Sequence, residues 1–275
     1  MDLLMFELAV LWFAAGLYLF SGIIFVYSIV FRKEHASKQA MFIASAGLVL
    51  HSVALLMRWG VSGHPPYTKK YEIYSLSVWT TILFFVTVGW RRVKLRLIGI
   101  VIIPLSLLVM AISLSGNPAV NSLSPSLRGI WFHIHAISNA LTAGASILAV
   151  GASIIYIIKE NKENLEFYKK IPSLDVLDEY AYKFGAFGFI FWGLTVVSGA
   201  VWANNTWGRY WGWDPIETWS LITWFMFGLY LHVRHFFKWK GRKAALLLCL
   251  CFCSSVLGLV LLPIFIESIH NGYFK

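Results

Sequence analysis

The strongest limit on what this chain can fold into is a series of apolar runs of membrane-spanning length: 3–31, 39–58, 74–90, 95–113, 130–158, 182–202, 218–237 and 244–266. Crossing a bilayer takes roughly 20 mainly apolar residues in a helix. Within hydrocarbon, a helix satisfies its own backbone N–H and C=O groups. The runs therefore predict an all-α, polytopic integral membrane protein of about eight transmembrane helices. The third and fourth are short and closely joined, so their ends are the least defined. Composition agrees: 13% of residues are charged and 59% hydrophobic, whereas a soluble domain is about a quarter charged.

Basic residues set the expected orientation. Arg32, Lys33 and Lys38 follow the first run, and Arg91, Arg92, Lys94 and Arg96 the third. Lys159, Lys162, Lys169 and Lys170 follow the fifth, and Arg234, Lys238, Lys240, Arg242 and Lys243 the seventh. The opposite side holds the smaller set Arg58, Lys69, Lys70, Arg128, Arg209 and Lys275, with Lys183 at a span boundary. The positive-inside rule places the first set in the cytoplasm. Both termini are then expected on the outer side, as an even number of spans requires. The net charge of +10 is accounted for by these loops and by anionic lipid, not by nucleic acid, for which no basic patch on a soluble fold exists. The N-terminus has no basic stretch and no small-residue cleavage pattern, so the first run is expected to be retained as a span.

No soluble domain boundary, internal repeat or low-complexity tract interrupts residues 1–275, which read as one membrane-embedded domain with an external loop at 203–217. The longest polar stretch, 159–181, is cytoplasmic, while 59–73, 114–129, 203–217 and 267–275 are expected outside. Cys249, Cys251 and Cys253 alternate within an apolar run and form neither a CxxC pair nor a CxxCH segment. They read as small hydrophobic groups of a membrane helix.

The stretch around the external loop is WANNTWGRYWGWDPIETWSLITW. Trp202, Trp207, Trp211, Trp213, Trp219 and Trp224 supply six of the chain's 13 tryptophans. An interfacial aromatic belt explains one or two tryptophans at a helix end. It explains poorly a cluster this dense, with Gly208 and Gly212 set between the rings. Tryptophan offers a large rigid face and one N–H donor, so the segment reads as a platform for a large planar ligand. Asp214, Pro215 and Glu217 have the spacing of a helix N-cap, first helical residue and capping-box acid. The two carboxylates are thus either caps or ligand groups.

The run Trp207-Gly208-Arg209-Tyr210-Trp211-Gly212-Trp213-Asp214-Pro215-Ile216-Glu217-Thr218-Trp219 resembles the WWD motif, W-G-x-x-W-x-W-D-P-x-E-x-W, of the membrane haem-handling proteins CcmC, CcmF and CcsA. Most of the chain resembles the CcsA (ResC) branch, including SGHPPYTKKYE at 62–72 and YLHVRH at 230–235. The resemblance implies a role in cytochrome c maturation with haem b as cargo. Haem would be received in the membrane and presented on the outer face for thioether attachment to the CxxCH cysteines of apocytochrome c. It also implies a separate CcsB/ResB-type partner, with which the chain would be a component of a holocytochrome c synthase (haem lyase). The expected location is the bacterial cytoplasmic membrane. A CcmC-like haem exporter usually has fewer spans, and a HemX-like regulatory protein lacks a strong tryptophan motif.

Haem iron is commonly held by histidine, and a six-coordinate site needs two at similar depth. His135, near the outer start of the fifth run, and His270, beyond the eighth, match the family's external ligand pair. His133 competes with His135, but helix positions i and i+2 face apart. His51 and His232 lie within runs and match the family's transmembrane pair; an ionisable residue in a span is by default a functional candidate. By the rise of a helix, His51 is about 18 Å and His232 about 8 Å from the cytoplasmic ends of their runs, a mismatch that tilt would have to close. The platform comprises Trp202, Trp207, Gly208, Trp211, Trp213, Asp214, Glu217 and Trp219, and Arg58 and Arg209 are the candidate propionate contacts. His64, His35 and His235 are not expected to bind iron. No residue presents itself as a nucleophile or general base.

Overall fold

A computed structural model of the protein describes residues 3–31, 33–120, 122–162 and 170–268. Helices and their connections account for the fold, and no strand occurs among the described residues. The long helices are α1 (Leu3–Val30), α2 (Glu34–Ser62), α3 (Lys70–Arg91), α4 (Gly99–Leu114), α5 (Ile130–Lys159), α6 (Leu174–Trp207), α7 (Pro215–His235) and α8 (Arg242–Val256). A 3-10 stretch, Val93–Ile98, leads into α4. α8 continues through a π-helical turn, Leu257–Leu261, into the short α9, Leu262–Phe265.

The apolar runs thus map onto helices one for one. Seven of these segments are long and apolar enough to cross a membrane. α7 is not among the seven, although its 21 residues would reach roughly 31 Å. Its tryptophan, threonine, tyrosine and histidine content makes it less apolar than its neighbours.

α5 is the central helix, packing on α3, α6 and α8. Its buried face includes Gly144, Ala145, Ser146, Ala149, Gly151 and Ala152, small residues that let membrane helices approach closely. A Cβ on Gly144 would lie 3.1 Å from the backbone of α3 at Thr80, and the Thr80 hydroxyl donates to the Ala140 carbonyl at 2.7 Å. α2 packs on α1 and α3, whereas α7 packs on α6 and α8, so the outer pairs flank α5 on different sides.

One end of the bundle carries the tryptophan loop. α6 runs five residues beyond its apolar run and stops at Gly208, whose φ of 73° closes the helix in the left-handed region. The loop expected at 203–217 is therefore only Gly208–Asp214. Trp202 and Ala203 are buried, and that burial carries the helix past the apolar stretch. At the opposite end, Arg234 of α7 donates to both oxygens of Asp178 on α6 at 2.7 and 2.8 Å. Asp178 also accepts from the Gly241 N–H at 3.0 Å, which fastens the α7–α8 turn.

Candidate functional site

The loop is built by its caps. The Asp214 side chain accepts from the Ile216 N–H at 2.9 Å, and Glu217 Oε2 accepts from the Asp214 N–H at 3.4 Å, which completes a capping box with Pro215 in the first turn. Glu217 Oε2 also accepts from the Gly212 N–H at 2.8 Å and faces the Arg209 guanidinium at 3.9 Å. A Cβ on Gly212 would collide with that guanidinium. Ser268 donates to Asp214 at 2.9 Å and brings the C-terminal segment to the loop.

These bonds predict that Asp214→Ala lowers stability by about 1 kcal/mol, the usual cost of losing an N-cap. Asp214→Asn should melt close to the parent and keep any ligand. A ligand lost in Asp214→Asn at unchanged melting temperature would make the carboxylate a binding group instead of a cap.

Beneath the loop, a slot opens between α5, α6, α7 and the π-turn. His135, Asn139, Trp192, Trp202, Trp211 and Glu217 are among its walls, with Tyr210 at the loop side. Its free volume is about 100 Å³, well under the roughly 300 Å³ at which enclosing ligand pockets begin. It therefore accepts an edge or face of a large ligand and does not swallow one. A second cavity, of about 90 Å³, shares Asn139, Trp192 and Leu259 with it and continues between α3, α5 and α8.

His135 is the histidine that lines the slot. Its Nδ1 lies 2.8 Å from the Thr195 carbonyl oxygen on α6. A carbonyl only accepts, so Nδ1 carries a proton, and in the neutral ring the lone pair then falls on Nε2, the tautomer suited to metal ligation. The ring stacks on Trp202 at 6.0 Å and 24°. Trp202 is fixed in turn by its Nε1–H to the Ser126 carbonyl at 2.8 Å and by an edge contact with Trp207. His133 faces elsewhere: its Nδ1 pairs with the Tyr67 hydroxyl at 2.8 Å. Burial pushes the Tyr67 hydroxyl above its ordinary pKa, so it stays protonated.

Buried polar atoms without a hydrogen bond gather at the loop. Among the described residues, seven buried side-chain N or O atoms lack a hydrogen bond, and four of them lie between Thr206 and Glu217: Thr206 Oγ1, Arg209 Nη1, Trp211 Nε1 and Glu217 Oε1. Native proteins rarely leave buried polar groups unmade. Two cationic or N–H donors, a hydroxyl and a carboxylate oxygen beside one slot suit a ligand that brings its own polar groups, acidic ones foremost.

The family model for cytochrome c assembly proteins matches residues 67–270. A CcsA cytochrome c biogenesis protein from Chlamydomonas reinhardtii is 31% identical over 93% of this chain and 74% of its own length. One from Prochlorococcus marinus (strain AS9601) is 31% identical over 79% of each chain. The chain belongs to the CcsA family. Its role therefore lies in cytochrome c biogenesis, a process whose cargo is haem and whose substrate is apocytochrome c.

Within this CcsA-family chain, the expected site residues divide. Trp202, Trp211, Glu217 and His135 meet at the slot. Gly208 and Asp214 shape the loop. Trp219 instead anchors α7 to α8 through Nε1–H to the Ser254 carbonyl at 2.8 Å. Trp213, at φ 56° and 74% exposed, stands out from the loop and meets Trp211 edge-on. His270 lies outside the described residues.

The other expected residues lie away from the slot's lining. Arg58 is enclosed at the α1–α2–α3 end, bonded to Glu72 at 2.8 Å and 3.7 Å from Glu7, with Nη2 buried and without a hydrogen bond. His51 and His232 sit in different surroundings. His51 is fully buried between α1 and α3, its nitrogens 3.2 Å from the Tyr18 hydroxyl and 2.9 Å from Ser75 Oγ. His232 is exposed on α7 against Phe236, at 4.6 Å between ring centroids. Their helices belong to different packing groups. Sequence reasoning missed Asn139, Trp192 and Tyr210. Only Asn139, a polar residue one turn beyond His135 within a span, carried a signal that would have found it.

Proposed function

We propose that this protein holds haem b at the loop end of the bundle and presents it for covalent attachment to apocytochrome c. The observation that carries the reading is His135, fixed as its Nδ1–H tautomer in a slot walled by Trp202 and Trp211. Iron would be ligated by His135 Nε2 on one face and by His270 on the other. Ser268, two residues before His270 in sequence, bonds to the loop at Asp214. The small slot suits a ring seated at its mouth beneath the tryptophans, with one flank open to a protein substrate. Arg209 and the Trp211 N–H are donors for the propionates.

In the reaction, each cysteine S–H of a CxxCH segment adds across a haem vinyl. A C–S bond forms, the proton ends on the vinyl's outer carbon, and no net oxidation occurs. The chain's own residues bind, orient and shield the haem. The working location is the outer face of a bacterial cytoplasmic membrane, with both termini outside. A CcsB/ResB-type membrane protein acts alongside. By the family resemblance, His51 and His232 would be the pair that receives haem within the membrane.

The test is co-expression with a ResB-type partner and a CxxCH substrate, scoring haem that survives denaturing electrophoresis. Covalent haem should require this chain and the partner together. Equal attachment without this chain would remove the reading.

A further inference from the structure

His135 makes its bond to α6 in an unusual place. The Thr195 carbonyl that it reaches belongs to the middle of a continuous helix, Leu174–Trp207. In such a helix each Cα–Cβ bond tilts toward the N-terminus, so the side chain at i+4 covers the carbonyl at i. The residue at i+4 from Thr195 is Gly199. A Cβ built there would lie 2.7 Å from His135 Nδ1, 3.0 Å from Cε1 and 3.7 Å from Cγ. The imidazole occupies the space that any other residue at 199 would fill.

The surroundings hold this level of α5 and α6 in register. The single proton of Thr195 Oγ1 is within reach of Ser138 Oγ at 3.0 Å and of the Phe191 carbonyl at 2.9 Å. Ser138 Oγ also donates to the Ile134 carbonyl at 2.7 Å. Trp202, less than one turn beyond Gly199, backs the ring. The atoms that a Cβ at 199 would meet all belong to the imidazole, the end of a flexible side chain. The ring is what yields.

We propose that Gly199 is a positioning residue: its missing side chain and the Thr195 carbonyl form a seat that fixes the tautomer and direction of the His135 imidazole for iron. The proposal rests on the reading of His135 as a haem ligand. Alanine favours helix over glycine, so Gly199→Ala does not weaken α6, and its effect falls on the ring.

The experiment compares haem in Gly199→Ala, His135→Ala and Gly60→Ala, each purified with the ResB-type partner. Gly60 has open space where a Cβ would go and serves as the folding control. Gly199→Ala should accumulate normally, lose haem by roughly 10-fold or more, as changes to a ligand's outer contacts do, and pass from a six-coordinate low-spin to a five-coordinate high-spin spectrum. Added imidazole should restore the low-spin form. Gly199→Ala matching the parent while His135→Ala loses haem would overturn the seat. Loss of haem in neither variant would instead sink the ligand reading. If Gly199→Ala fails to accumulate, nitrogen-15 spectra of the parent, assigned by difference from His135→Ala, decide. An Nδ1-protonated ring supports the seat and an Nε2-protonated ring refutes it.

Discussion

His135→Ala is expected to strip haem from the complex with its membrane partner, while His133→Ala keeps it. The two residues are neighbours on α5 and were not separable by composition or by distance from the loop. Their hydrogen bonds separate them. His135 turns toward α6, gives its Nδ1 proton to Thr195 and lines the slot. His133 turns toward Tyr67 in the segment that joins α2 to α3. Losing an iron ligand should exceed the roughly 10- to 100-fold cost of losing a ligand's outer contact. Losing the His133–Tyr67 bond should cost about 1 kcal/mol of stability and leave the spectrum alone. Haem content and spin state read the first effect, and the melting temperature reads the second. Haem lost equally in both variants, or in neither, would show that the slot does not choose between them.

How much of this was legible in the sequence follows from what sets each feature. Span-length runs fix helices because hydrocarbon leaves the backbone no other partner, so all the long helices were readable. Their ends were not, because an end depends on what the last turn packs against. Burial of Trp202 and Ala203 prolongs α6 into a segment that reads as loop. The capping box at Asp214 and Glu217 was readable because it is local, a spacing of three residues. The surroundings of Arg58 and His51 were not readable, for the opposite reason. Each is an ionisable group in or beside a span, which marks it as a candidate. Whether it faces a ligand or another helix depends on partners far away in sequence: Glu7 and Glu72 for Arg58, Tyr18 and Ser75 for His51. The tryptophans were readable as a cluster but not one by one. Trp211 lines the slot, Trp219 pins α8 and Trp213 points outward, although all three share one motif.

The buried surroundings of Arg58 carry the second large effect, expected in stability and not in haem. Arg58 is 1% exposed. Nε donates to Glu72 Oε1 at 2.8 Å and Nη1 to the Pro118 carbonyl at 2.6 Å, and the group lies over the Tyr71 ring at 5.2 Å. Glu72 Oε2 accepts from the Thr68 N–H and hydroxyl at 2.9 Å each. The Tyr71 hydroxyl donates to Glu7 Oε1 at 2.6 Å, and Ser113 ties the Tyr71 carbonyl to the end of α4. One cation therefore joins the site-side ends of α1, α2 and α3 to the segment after α4. Removing it leaves two carboxylates facing each other away from water, and breaking a buried pair from one side costs roughly 3–5 kcal/mol. That is a large part of the roughly 5–15 kcal/mol that holds a typical domain folded. Arg58→Leu should therefore melt far below the parent. Arg58→Lys should recover only part of the loss, since one ammonium cannot span Glu72, Pro118 and the Tyr71 ring together. Replacing all three charges, Glu7→Leu, Arg58→Met and Glu72→Met, should bring the melting temperature back toward the parent, because the desolvation cost leaves with the charges. Haem per folded molecule should stay constant across the series. A series in which melting holds steady while haem falls would return Arg58 to the site and make the buried network incidental to the fold.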